Sequence, residues 1–183
     1  MKKFEEKTTH SNRIYEGKII NLKVDDVSLP NGKTSKRELI EHPGAVAVIA
    51  ITPGNKMLMV EQYRKALERS LVEIPAGKLE KGEAPEFTAM RELEEETGYT
   101  ADKLELIQSF STSPGFADEV VHMYFAVGLK KSMSQALLDE DEFVELMEVS
   151  LEEAEEMVRN QRIYDAKTAF AVLWAKERLA SNN

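Results

Sequence analysis

The sequence predicts an α+β fold, a mixed sheet layered with helices, carrying an additional β extension at its N-terminus. Three observations predict it. Short apolar segments, alternating or continuous, are closed by Pro, Gly and Asn, as strands are. Helical patterns with readable ends are interspersed among those strands rather than gathered in one block. The 183 residues, 42% hydrophobic and 31% charged, suffice for one full core and an appended piece.

The residues before Lys18 show little pattern. From there to Leu29, Ile20, Leu22 and Val24 alternate with Asn21, Lys23 and Asp25, a period-2 pattern that predicts a strand. Pro30-Asn31-Gly32 is a turn, since proline presets φ and Asn-Gly tolerates positive φ. Thr34 to Glu41 returns as a second strand. After His42-Pro43-Gly44, Ala45 to Ile51 is a continuous apolar run typical of a buried strand, and Pro53-Gly54-Asn55 turns the chain into another at Met57 to Gln62. Residues 1–42 therefore read as a β extension and 43–183 as the main domain.

Leu71 to Ile74 is short and extended, stopped by Pro75-Ala76-Gly77. A helix follows, with Pro85 in its first turn and Gly98 at the left-handed position past its end. Phe87, Ala89, Met90 and Leu93 supply its core stripe, while Ala84 is a poor N-cap. Leu104 to Thr112 and Val120 to Val127 read as strands around the loop Ser113 to Glu119. Beyond the acidic run Asp139 to Glu142, a last strand spans Val144 to Val149. Ser150 and Glu153 form a capping box for helix 151–159. Asp165 starts a final helix with Ala166, Ala169, Phe170 and Leu173 on one face.

A net charge of −9 argues against sequence-independent nucleic-acid binding. No apolar run approaches the roughly 18 residues that span a bilayer, so no membrane partner is expected. The N-terminal residues have no apolar stretch of the kind a secretory signal carries, and there is no cysteine. The latter excludes disulfides, zinc–thiolate sites and thiol nucleophiles and suits a reducing, cytoplasmic setting.

Between Gly77 and Tyr99 stand seven glutamates in 23 residues. Glu92 and Glu96, at i and i+4, lie nearly one above the other on a helix, with Glu95 beside them. Like charges so placed oppose the helix by a few tenths of a kcal/mol per pair in water, and by more in a dry site. They also crowd the C-terminal end, where the helix dipole prefers cations. Hard divalent cations take carboxylate and backbone carbonyl oxygens, which this helix and the bent loop before it supply. Glu80, Glu86 and Glu94 read as solvated.

The fixed positions Gly77, Glu83, Arg91-Glu92-Leu93, Glu95-Glu96 and Gly98-Tyr99 resemble the Nudix hydrolase signature, departing only in the final tyrosine where an aliphatic residue is usual. By chance such a match arises on the order of 10⁻⁹ per starting point. The resemblance implies the Nudix fold, an α/β/α sandwich with a mixed sheet, and cleavage of a nucleoside diphosphate linked to another moiety. It implies metal ligation by Glu92, Glu96 and Glu95, with the Ala76 backbone oxygen assisting, and structural roles for Gly77, Glu83, Arg91 and Gly98. Glu83 and Arg91 would pair to brace the loop.

Outside the signature, Glu73-Ile74-Pro75-Ala76-Gly77 and Ser113-Pro114-Gly115 resemble the ADP-ribose pyrophosphatase subgroup. This implies hydrolysis of ADP-ribose to AMP and ribose 5-phosphate with two or three Mg²⁺, for which Mn²⁺ can substitute. It also implies a homodimer that exchanges the β extension. Glu140 is expected as general base and Glu142 as a further metal ligand. Arg37, Glu41, Arg64, Ser113, Pro114, Gly115 and Glu119 are expected substrate contacts. The alternatives are the same chemistry on another nucleoside diphosphate sugar or an oxidised nucleotide, and a non-catalytic nucleotide-sensing module.

Overall fold

The computed structural model describes residues 3–133 and 143–181. Among these, β1 (Lys7–Glu16), β2 (Asn21–Ser28), β3 (Thr34–Glu41), β4 (Ala45–Ile49), β5 (Lys56–Arg64), β6 (Arg69–Glu73) and β7 (Ala76–Lys78) precede α1 (Pro85–Thr97). Then follow β8 (Tyr99–Thr100), β9 (Lys103–Ser111), β10 (Val120–Val127), β11 (Lys130–Lys131), β12 (Val144–Ser150), α2 (Leu151–Arg159) and α3 (Ala166–Ser181). The chain divides into two compact units, Met1–Gly44 with Ser111–Val120, and Ala45–Phe110 with Val121–Asn183.

The first unit is an antiparallel meander in the order β1-β2-β3. Gly32, at φ +80°, closes the β2–β3 turn and donates to the Leu29 carbonyl at 2.9 Å, as Asn-Gly chemistry favours. Strand β1 departs from the sequence reading, which sees no pattern there. All ten of its residues are exposed, so it has no apolar periodicity to read and exists by pairing with β2. The buried residues of β2 are Asp25 and Val27 rather than Ile20, Leu22 and Val24. Asp25 accepts from Ser11 Oγ at 2.5 Å and Thr8 Oγ1 at 3.1 Å, both on β1. The Ser11 bond, aided by Thr8, outweighs the opposing effect of burial and holds the Asp25 carboxyl below its ordinary range. A parallel bridge between Ile40 and Ala117 joins the Ser111–Val120 loop to this unit.

The second unit contains a four-stranded mixed sheet in the order β7-β4-β10-β9, with β4 parallel to β10 and antiparallel to β7. A three-stranded antiparallel sheet runs β12-β5-β6. Strand β4 shows why its run is uninterruptedly apolar. Val46 and Val48 pack with Ala89 and Leu93 of α1, whereas Ala47 and Ile49 pack with Ala171, Val172 and Ala175 of α3. Both faces are covered, giving the predicted helix–sheet–helix layering.

The helix ends follow their capping chemistry. Gly98 sits at φ +69° and donates to the Glu94 carbonyl at 2.8 Å, and the Ser150–Glu153 capping box is complete in both directions. Asp165 Oδ1 accepts from Thr168 N at 3.0 Å and caps α3. The expected α3 stripe is wrong in phase, whereas the α1 stripe fails only at Phe87, since Ala89 and Leu93 are fully buried with Met90 packed against them. Phe87 is 62% exposed, because α1 buries the adjoining columns Thr88-Glu92-Glu96 and Ala89-Leu93-Thr97. On α3, Leu173 is 68% exposed and Phe170 is also exposed, while Ala171, Val172 and Ala175 face the core.

Candidate active site

The acidic helix turns inward. Glu92 and Glu96 are 7% and 6% exposed, one turn apart in the same buried column of α1. The facing wall is the segment Ile74 to Gly77. Glu96 Oε2 accepts the Ala76 N–H at 2.9 Å, and the Glu92 carboxylate occupies the space that a side chain at Gly77 would need. A Cβ there would meet the Glu92 Cδ and Oε1 at 2.0 Å, so glycine lets this loop approach without displacing that carboxylate. The segment is held elsewhere too, through Val48 N donating to Pro75 O at 2.8 Å and Ile74 N donating to Thr168 Oγ1 at 3.1 Å.

Arg91 gathers the surrounding acids. Its Nη1 lies 2.7 Å from Glu95 Oε2 and 3.0 Å from Glu92 Oε1, and its Nη2 lies 3.6 Å from Glu83 Oε2. Glu83 also accepts from Thr88 Oγ1 at 2.8 Å, which ties the preceding loop to the first turn of α1. Burial opposes the Arg91 charge, but the charge of Glu92 and the bond to Glu95 outweigh it and hold this cation above its ordinary range. The expected Glu83–Arg91 brace is thus the longest of three contacts. Glu94 is not simply solvated, because it accepts from Ser132 Oγ and its carbonyl receives the Gly98 N–H.

The donor chemistry fits a hard cation: buried carboxylates on a helix face against a loop of backbone amides and carbonyls. Glu92 and Glu96 would hold it, with Glu95 and the Ala76 carbonyl as the further oxygens expected from the sequence. Among the described residues no three acidic or histidine side chains converge closely enough to enclose an ion by themselves. Glu140 and Glu142 lie outside the described residues.

Sequence reasoning named Arg64 as a substrate contact and Glu73 only as part of a lead-in; it gave no role to Glu73 and did not single out Lys167. Glu73 ends β6 with its side chain 2% exposed. Arg64 forks onto it, Nε to Oε1 at 2.5 Å and Nη2 to Oε2 at 2.8 Å, and Lys167 also donates to Oε2. Burial pushes the Glu73 carboxyl up, yet the Arg64 bond and the Lys167 charge prevail and hold it below its ordinary value. A charged residue closing the apolar run Leu71-Val72 was the available clue.

The remaining expected contacts lie in the first unit. Arg37 forks onto Glu6 at 2.8 and 2.6 Å, and Glu41 takes Lys23 at 2.9 Å and Arg13 at 3.2 Å. In the loop, Ser113 O accepts from Phe116 and Ala117, Glu119 accepts from Thr112 Oγ1, and Pro114 and Gly115 are exposed. A 390 Å³ cavity there is lined by Leu39, Glu41, Pro114, Phe116 and Asp118, among others.

The chain is also similar to known proteins in sequence and in fold. A NUDIX domain model matches residues 41–169, and a nucleoside diphosphate sugar hydrolase N-terminal domain model matches residues 6–40. The chain is 61% identical over 181 residues to an ADP-ribose pyrophosphatase of Bacillus subtilis (strain 168), covering 98% of each chain. It is 63% identical over 171 residues to a methanol dehydrogenase activator of Bacillus methanolicus, covering 93% of this chain and 92% of that one. In fold it matches a crystal structure of an ADP compounds hydrolase with a TM-score of 0.84 at 18% identity, covering 98% and 96% of the two chains. The chain belongs to the Nudix hydrolase family, enzymes that work with a divalent metal.

Proposed function

We propose that this chain hydrolyses the diphosphate of ADP-ribose to AMP and ribose 5-phosphate. The observation that carries the reading is near full-length identity of 61% to a protein of that name, in a chain that keeps the acidic helix intact. Mg²⁺ ions, two or three per site and replaceable by Mn²⁺, would neutralise the diphosphate and lower the pKa of a bound water. Glu92 and Glu96 hold that charge, with Glu95, Glu142 and the Ala76 carbonyl assisting. Glu140 takes the proton of the attacking water as its oxygen bonds to phosphorus and the bridging P–O bond breaks. Arg64 is a diphosphate contact. Ser113, Pro114, Gly115 and Glu119, with Arg37 and Glu41, serve the nucleoside side, and the apolar walls and carboxylates of the first-unit cavity suit a base with an amino group.

The β extension, residues 1–42, is a dimerisation element ahead of the catalytic domain, 43–183, in a homodimer. More than half of each of Ile14, Tyr15 and Ile19 is open to solvent, which supports that role. A cytoplasmic location suits the absence of cysteine. No helix among the described residues is long and apolar enough to cross a membrane.

A substrate panel with product identification tests the reading. ADP-ribose should be turned over best and yield AMP, whereas strong turnover of GDP-mannose with little of ADP-ribose overturns it. Nucleotide binding with no hydrolysis in Mg²⁺ or Mn²⁺ would instead indicate a sensing module. The name of the Bacillus methanolicus relative favours a second reading, activation of a methanol dehydrogenase, whose mark is a faster dehydrogenase when this chain is added. Glu140→Gln should lower kcat by about two orders of magnitude or more with the magnesium dependence kept. An unchanged rate moves the base to a neighbouring acid.

A further inference from the structure

Within the second unit, a buried charge cluster stands directly behind the loop that meets Glu92 and Glu96. It balances two cations, Arg64 and Lys167, against two carboxylates, Glu73 and Asp165. Glu73 is almost fully buried, whereas the Arg64 side chain keeps 38% of its surface. The fork uses Arg64 Nε and Nη2, leaving the Nη1 amino group outside it. The negative charge of Glu96 also favours the Arg64 cation, after the larger effect of the Glu73 bond. A free arginine samples many rotamers, and a two-point fork removes that freedom before an anion arrives.

The cluster also reaches the loop. Lys167 bridges Glu73 to Asp165, whose Oδ1 at 2.9 Å from the lysine caps α3. Thr168, the next residue and fully buried, receives the Ile74 N–H. Glu73 and Ile74 are thereby fastened to the same turn of α3, two residues before Ala76.

We propose that Glu73 is a positioning residue for the diphosphate: it orients Arg64 toward the substrate from the end of the Ile74–Gly77 loop, where Lys167 and Thr168 hold the backbone. The inference rests on the diphosphatase reading above and adds a residue that touches neither substrate nor metal. Its energetic logic is preorganisation, because an arginine already aimed and desolvated binds an anion more tightly than one that must first be ordered.

Steady-state kinetics on the full chain test it. Glu73→Asp keeps the charge that balances Arg64 and Lys167 but withdraws the carboxylate by one methylene, so the fold is retained and the two-point fork is lost. KM for ADP-ribose should rise about tenfold or more, with kcat changed much less. Glu73→Gln should do the same with a lower Tm. In an Arg64→Ala background neither substitution should raise KM further, since the residue they position is gone. A folded Glu73→Asp with wild-type KM overturns the proposal, and so does a fresh KM increase of equal size in the Arg64→Ala background. Should the wild type prefer another nucleoside diphosphate compound, the ADP-ribose reading fails, and the same KM comparison runs on that compound.

Discussion

Glu96→Gln is expected to lower metal-dependent turnover by several orders of magnitude while the protein stays folded. The amide has the shape of the carboxylate, and its oxygen can still accept the Ala76 N–H that Glu96 now takes at 2.9 Å. The loop contact is therefore kept while the charge and one acceptor oxygen are lost. That charge lies in a nearly buried column beside Glu92, where carboxylate and cation attract far more strongly than in water. Turnover measured across a magnesium titration, with circular dichroism and Tm alongside, checks the expectation. A folded variant with wild-type rates would remove Glu96 from the metal centre.

Gly77→Ala should separate stability from activity still more sharply. The backbone of Gly77 is not among the positive-φ positions, so alanine meets no conformational obstacle there. Its obstacle is the Glu92 carboxylate, 2.0 Å from the new methyl carbon at two atoms and 2.5 Å at the third. The far end of a glutamate side chain yields by rotating, at about 0.5–1.5 kcal/mol for an off-rotamer angle plus some weakening of its 3.0 Å contact with Arg91. The displaced carboxylate then no longer stands where the site needs it, and misplacement of about 1 Å can cost 10²-fold in rate. We expect kcat/KM to fall about a hundredfold with Tm lowered by only a few degrees. A large loss of Tm would show instead that the loop itself cannot accept the methyl group.

The strands that pack against a core on one or both faces were readable from their apolar residues, and β10 spans the predicted Val120–Val127. What stayed illegible had physical causes. Strand β1 has no buried face, so no periodicity could announce it, and its order comes from the β2 ladder. Asp25 upset the phase of β2 because its burial depends on hydroxyls from β1, a strand the pattern did not reveal. Phe87 misled for a related reason: counting only apolar residues rotates the apparent buried face of α1 away from Thr88, Glu92 and Glu96. The site thus carried its own disguise, since its polar residues occupy core positions. The signature spacing located those glutamates, but spacing in sequence says nothing of Glu73, whose partner Lys167 lies 94 positions away.

That separation bears on when the protein becomes competent. A ribosome that has released the chain through β8 has already delivered every fixed position of the signature, from Gly77 to Tyr99. The residues that fasten the loop in front of it, Lys167 and Thr168, emerge only with α3. Joining contacts so far apart must overcome the loop-closure entropy of the whole intervening stretch, which the docking of α3 onto Ala47 and Ile49 offsets. The candidate site is therefore delivered early and fastened late, and an N-terminal fragment holding the complete motif would be a Nudix sequence without the contacts that hold its loop.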